Sequence, residues 1–154
     1  MGKIGRIMFT YQQEFLSSIK GEIDPLVNDE WDEVCDELVK PEIDWDTAFA
    51  LEAANVLFAF TAQQNGNLVG YCIVVKHTSL ANKNLVIADS QALFVVKECR
   101  NSSVASKVLS LACDIMSEEG ANRFVISAEV KANIEPLMDK LGFDKTEVKF
   151  GRVI

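Results

Sequence analysis

Residues 88–120, ADSQALFVVKECRNSSVASKVLSLACDIMSEEG, read as a strand, a short polar turn and an amphipathic helix. Residues 92–96 form the continuous apolar run of a strand buried on both faces, and Arg100-Asn101-Ser102-Ser103 breaks it with polar residues. Val104, Val108, Leu111, Ala112 and Ile115 then recur at the helical spacing of three and four, with Ser102 available as a cap and Gly120 as a stop. A helix that starts at a tight turn out of a central strand presents its first backbone N–H groups, and the positive end of its dipole, to an anion. A phosphate group suits such a turn.

The rest of the chain sets limits around this stretch. Its 154 residues predict one domain, residues 1–154, and the 49% apolar content fits a globular protein with a proper core. No apolar run reaches the roughly 20 residues of a membrane helix, and residues at the N-terminus do not read as a secretory leader, so a cytoplasmic location and no membrane partner are expected. Cys35, Cys72, Cys99 and Cys113 lack metal-ligand spacing, which predicts no metal site and four small apolar side chains. The net charge of −8 argues against a nucleic-acid partner. Between Glu22 and Asp46 lie eleven carboxylates and one lysine, a local −10 that leaves +2 for all other residues. Such a face either is solvated or attracts a cationic partner.

Taken in order, residues 3–10 read as a first strand and a helix follows from about Gln12, with Phe15, Ile19 and Ile23 on one face. Asp24-Pro25 starts or kinks a second helical segment whose apolar stripe is Val27, Trp31, Val34 and Leu38. Asp44 or Asp46 caps a short third helix, and Trp31 and Trp45 anchor this helical cover. From Val56 the period changes to two. Asn65-Gly66 between two apolar runs is a strong hairpin signal, and a polar loop over residues 77–84 leads to the central strand. Residues 123–130 read as a strand, 133–141 as a helix stopped by Gly142, and 143–153 as a last strand.

Leu93-Phe94-Val95 followed by Arg100-x-x-Ser103-x-Ala105 resembles the acetyl-CoA motif of the GNAT superfamily of N-acetyltransferases, written Q/R-x-x-G-x-G/A. NGNLVGYCIVV resembles that superfamily's hairpin and MDKLGF at 138–143 its helix-to-strand ending. Within it, the chain is most similar to small stand-alone acetyltransferase-like proteins of tailed bacteriophages, which would place it in a host cytoplasm with a possible host or viral protein partner. The resemblance implies an α+β fold: a mixed, mostly antiparallel sheet with a splayed central strand pair and helices on both faces. It implies acetyl-CoA as cofactor, the backbone of Leu93, Phe94 and Val95 pairing with the pantetheine arm. Arg100, Asn101, Ser102, Ser103, Val104 and Ala105 would hold the pyrophosphate, with Asn101 and Ser103 where glycines are usual.

The implied activity is acetyl transfer to a primary amine, a protein lysine or N-terminus or a small amine, by direct attack in a ternary complex. Asp89 stands where superfamily members place a catalytic carboxylate, and period-two alternation puts Asp89, Gln91, Leu93 and Val95 on one strand face. His77, the only histidine, is the second candidate for proton transfer. Met138 occupies the position of the superfamily's usual tyrosine acid. The alternative is a catalytically degenerate member that acts as a binding or inhibitory module through its acidic helical face.

Overall fold

The computed structural model describes residues 7–34, 41–100, 102–129 and 132–154. Strands β1 (Phe9–Glu14), β2 (Leu57–Gln64), β3 (Asn67–Thr78), β4 (Val86–Val95) and β5 (Arg123–Ile126) form one sheet in sequential order. The first four pair antiparallel and β5 joins β4 in parallel. Helices α1 (Leu16–Val34) and α2 (Trp45–Ala53) cover one face, while α3 (Val104–Glu118) covers the other with α4 (Glu135–Leu141) beside it. This is the mixed, mostly antiparallel α+β arrangement expected.

Alternation decides what each face buries. Phe58, Phe60 and Ala62 of β2 and Cys72 and Val74 of β3 meet Val104, Val108, Leu109, Ala112 and Met116 of α3. Leu57, Ala59 and Tyr71 on the opposite face meet Leu16, Ile19 and Ile23 of α1. Asn65 and Gly66 close the β2–β3 hairpin with φ of 50° and 85°, the left-handed pair that a two-residue turn requires. Asp44 caps α2 as expected, accepting from the Thr47 N–H at 3.0 Å. Trp45 anchors the cover, with Phe49 at 5.6 Å and the Lys20 ammonium 5.3 Å from its ring. Gly120 and Gly142, at φ of 90° and 77°, end α3 and α4.

Several expectations are corrected. Residues 12–14 are strand rather than the start of a helix, because β1 pairs from Phe9↔Gln64 to Glu14↔Ala59 and that ladder overrides the helical preference of Gln-Gln-Glu. Residues 3–6 of the expected first strand lie outside the described residues. Phe15 stays 70% exposed because Leu16, not Phe15, completes the inward spacing with Ile19 and Ile23. Asp24-Pro25 starts no new helix. Pro25 sits inside α1 on its exposed side, where water can bond the Gly21 carbonyl that the missing N–H leaves. Leu38 and Cys35 lie outside the described residues, while Cys72 and Cys99 are buried and Cys113 is partly so.

The strand expected over 123–130 is only the four residues of β5, and the strand expected over 143–153 does not form. Val148, Phe150 and Val153 are all exposed there. An alternating sequence supplies a strand's pattern but not its partner, and no described strand runs beside these residues.

Candidate active site

One extra residue in β4 organises the site. Ser90 opposes Val74 of β3 and Ala92 opposes Ile73, so Gln91 is a bulge with no partner across the ladder. The bulge reverses the phase of alternation. Ala88 points to the α3 face, as does Ser90, whose hydroxyl lies 3.7 Å from Cys72 Sγ; beyond Gln91 it is Leu93 and Val95 that point there. Asp89 therefore shares the α1–α2 face with Ala92 and Phe94, not a face with Leu93 and Val95 as simple period-two reading predicts.

The parallel ladder to β5 ends at the same place. Its last pair is Ser90↔Ile126, so from Gln91 onward β4 has a strand neighbour only on the β3 side. The Val96 N–H donates to Val69 O at 2.8 Å toward β3, while the Val95 carbonyl accepts from Arg100 Nε at 2.8 Å on the other side. Alternation along the strand then turns the N–H and C=O of Leu93 and the N–H of Val95 into the gap. The expected splay between the central strands is present.

The turn leads from this gap into α3 through a 3-10 turn at Lys97–Cys99. Ser103, not Ser102, is the N-cap, with φ −82° and ψ 10° and no side-chain cap bond. The Ser102 hydroxyl donates to the Cys99 carbonyl and lies 3.4 Å from the Val104 N–H. The first helical bond is Lys107 N–H to Ser103 O at 3.0 Å, which leaves the Ala105 and Ser106 N–H groups without an acceptor among the described residues. Ser103's negative φ shows that serine fits this backbone without glycine's freedom. Val104 contributes only backbone, since its side chain is buried in the core. Asn101 lies outside the described residues.

Arg100 is held on three sides. Besides Val95 O, its Nη2 meets Glu33 Oε2 of α1 at 2.7 Å, and its guanidinium lies 5.3 Å from the centre of the Phe94 ring. Phe94 in turn packs against Tyr71, ring centres 5.9 Å apart. The Tyr71 hydroxyl donates to Glu30 Oε2 at 2.5 Å. Burial raises the Glu30 carboxyl above its ordinary range, opposed by the tyrosine's hydrogen bond and aided by Glu33. Burial, with Glu30 beside it, pushes the Tyr71 phenol up as well. Sequence reading missed Glu30, Glu33 and Tyr71: the carboxylates are two among eleven in an acidic run, and only tertiary contact singles them out.

The two candidates for proton transfer come together. His77 Nε2 lies 3.8 Å from Asp89 Oδ2, both partly open to solvent on the α1–α2 face beside the bulge. His77 is in β3 opposite Ile87, not in a loop as expected, and this register sets it diagonally across from Asp89. Both stand apart from Arg100, which is at the far end of β4. Met138 of α4 packs against the α3-side core.

A family model described as the acetyltransferase (GNAT) family matches residues 20–143. No curated protein matches the chain in sequence. Among solved structures, a predicted acetyltransferase with acetyl-CoA from Clostridium acetobutylicum is similar, with 18% identity, a TM-score of 0.71, and 95% of this chain and 96% of that one covered. Glucosamine-6-phosphate N-acetyltransferase from Arabidopsis thaliana gives 11% identity and a TM-score of 0.73 over 95% and 98%. A ribosomal-protein-alanine N-acetyltransferase from Brucella melitensis gives 16% and 0.71 over 95% and 98%. At these identities the likeness is one of fold.

Proposed function

Since the chain belongs to the acetyltransferase (GNAT) family, we propose that it moves an acetyl group from acetyl-CoA to a primary amine by direct attack within one ternary complex. The observation that carries this is the parting of β4 from β5 at Gln91, which leaves backbone donors and an acceptor of Leu93 and Val95 facing a gap. Acetyl-CoA, when bound, supplies an acyl group activated as a thioester. The chain's residues fit it. Leu93 and Val95 offer an extended arm the bonds a fifth strand would otherwise take, and gap-facing N–H groups stabilise negative charge on a carbonyl oxygen. The Ala105 and Ser106 N–H groups, the Ser103 hydroxyl and the α3 dipole suit a pyrophosphate, with Arg100 adjacent, while the Ser102 hydroxyl is held by the Cys99 carbonyl.

Asp89 accepts the proton that the amine must lose, and His77 beside it relays that proton to solvent. Met138 has no proton to give a leaving thiolate, so protonation there is left to water; a thiolate of cysteine-like pKa, about 8.5, leaves without that help. The carboxylates between Glu22 and Asp46 favour a cationic acceptor, as a free amine is at neutral pH. Two structural neighbours carry the names of N-acetyltransferases, one for glucosamine-6-phosphate and one for ribosomal-protein alanine, which fits an amine acceptor. Likeness to small phage acetyltransferase-like proteins would put that acceptor in a host cytoplasm.

One observation favours a second role, a non-catalytic module docking through its acidic face: the motif's arginine is already paired with Glu33. Calorimetric titration with acetyl-CoA, followed by transfer assays on a panel of polyamines, aminosugars and peptides, separates the two. The enzyme predicts binding, transfer to a member of the panel, and a fall in kcat of about 100-fold or more for Asp89→Asn with unchanged cofactor affinity. Absence of acetyl-CoA binding removes the enzyme and leaves the docking module.

A further inference from the structure

Arg100 does two jobs that exclude each other. It is the motif's cation in the turn beside the gap, and through Glu33 it also ties α1 to the end of β4. The remaining contacts of its guanidinium, the Val95 carbonyl and the Phe94 ring, hold the arginine on the β4 side and do not involve α1. We infer that the Glu33–Arg100 ion pair is a cofactor-sensitive tether: phosphate groups at the start of α3 compete with the Glu33 carboxylate for the guanidinium, and filling the cradle releases α1 beyond Glu30 from the end of β4. The tether presupposes the acetyl-CoA site proposed above.

The charges around the pair make it exchangeable. Glu33 lies among like charges on α1, which disfavour its carboxylate. Asp32 precedes it, and Asp29 and Glu30 sit one turn back, so Glu33 belongs to a cluster of negative charge that Arg100 alone relieves among the described contacts. Both side chains are more than a third exposed, at 38% and 37%, so exchanging the partner exposes no core. A polyanion offers Arg100 a stronger, bidentate partner than one carboxylate does. When the arginine turns to it, this part of α1 loses its counter-charge and loosens.

The loosening has a boundary. The Tyr71 hydroxyl, fully buried in β3, holds Glu30 at 2.5 Å and fixes α1 up to that turn. Release therefore begins beyond Glu30 and is read at residues 32–34.

Two measurements test the tether on the intact chain: the Kd for acetyl-CoA, and amide hydrogen exchange with and without it. Glu33→Gln is compared with Glu22→Gln, which removes the same charge from an exposed site of the same helix about 16 Å away along its axis. Glu33→Gln is expected to tighten acetyl-CoA binding three- to tenfold and Glu22→Gln to change it less than twofold. In the wild type, acetyl-CoA should speed exchange at residues 32–34 and leave the amides up to Glu30 unchanged. In Glu33→Gln those same amides should exchange fast before any addition. Equal Kd values for the two variants, weaker binding by Glu33→Gln, or unchanged exchange at 32–34 overturns the tether while the cofactor site stands. If neither the wild type nor Glu33→Gln binds acetyl-CoA, the cofactor site itself fails and the tether falls with it.

Discussion

The first turns of α1 and α3 pose the same electrostatic problem and meet it differently. At α1 the chain brings its own anion: Glu52 of α2 accepts from the Leu16 N–H, from the Ser17 N–H at 3.3 Å and from the Ser17 hydroxyl at 3.0 Å. At α3 the N-cap Ser103 makes no side-chain cap bond. An internal carboxylate stabilises a helix start and closes it to ligands. Leaving a helix start without one gives up that stabilisation, and here it happens at the helix that follows the unpaired half of β4. The difference leaves the start of α3, among the described residues, with backbone donors that no internal carboxylate takes up.

Removing the internal anion is the strongest way to test the stability side. Glu52→Ala takes three charge-assisted bonds from α1 and should lower unfolding free energy by about 2 kcal/mol, read by urea titration. Acetyl-CoA affinity should stay within twofold. An unaltered urea midpoint would mean that α1 does not depend on Glu52.

The complementary change gives α3 an anion of its own. Ser103→Asp places a carboxylate where the Ala105 and Ser106 N–H groups can reach it, so it should raise stability slightly while weakening acetyl-CoA binding about tenfold, or about 1.4 kcal/mol. Ser110→Asp, exposed two turns later, is the control. If both variants bind acetyl-CoA alike, the α3 start is not where phosphate sits.

Gly70→Ala probes the seam between β3 and the gap-facing half of β4. A Cβ at residue 70 would meet Phe94 O at 3.1 Å and Val95 Cγ2 at 3.2 Å, pushing the gap-facing half of β4 away from β3. The expected loss is about 1 kcal/mol, with weaker acetyl-CoA binding. A variant that loses stability but keeps full affinity would show that the gap tolerates movement of β4.

Much of this architecture is legible in the sequence because it depends on local signals. Asn65-Gly66 sets the hairpin, Val104, Val108 and Ala112 set the buried face of α3, and Gly120 and Gly142 stop their helices. The bulge at Gln91 is not legible. Residues 92–96 are apolar on both faces, so the sequence contains no alternation whose phase could be seen to slip, and register comes from β3 alone. Residues 143–153 fail in the opposite way, with a clear pattern and no described partner. Of the candidate site, the polar turn ahead of α3 is legible, whereas period two sets Asp89 on the wrong strand face and local polarity sets His77 in a loop. The Glu33–Arg100 and Tyr71–Glu30 contacts join distant segments, and nothing local in an acidic run distinguishes the carboxylate that will be buried from those that will be solvated.

The same contrast of anchored and exposed carboxylates recurs within α1, between Glu30 and Glu33, and pH tests it with the smallest of these effects. Burial raises the Glu30 carboxyl in the folded state above its value in the unfolded chain. Between those two values the folded state holds more protons than the unfolded state, so stability declines as pH rises through the window. The favourable contribution is thus fully present below the ordinary carboxylate range, about pH 4, and is lost as pH passes the raised value. Glu30→Gln removes the titration yet keeps an acceptor for the Tyr71 hydroxyl. The variant should therefore gain stability relative to wild type as pH increases from about 4 to 8. Urea titrations across that range should show a difference that grows with pH yet stays well below the loss from Glu52→Ala. A difference independent of pH would mean that Glu30 ionises in the folded chain as it does in the unfolded one, and that Tyr71 anchors α1 without desolvating its partner.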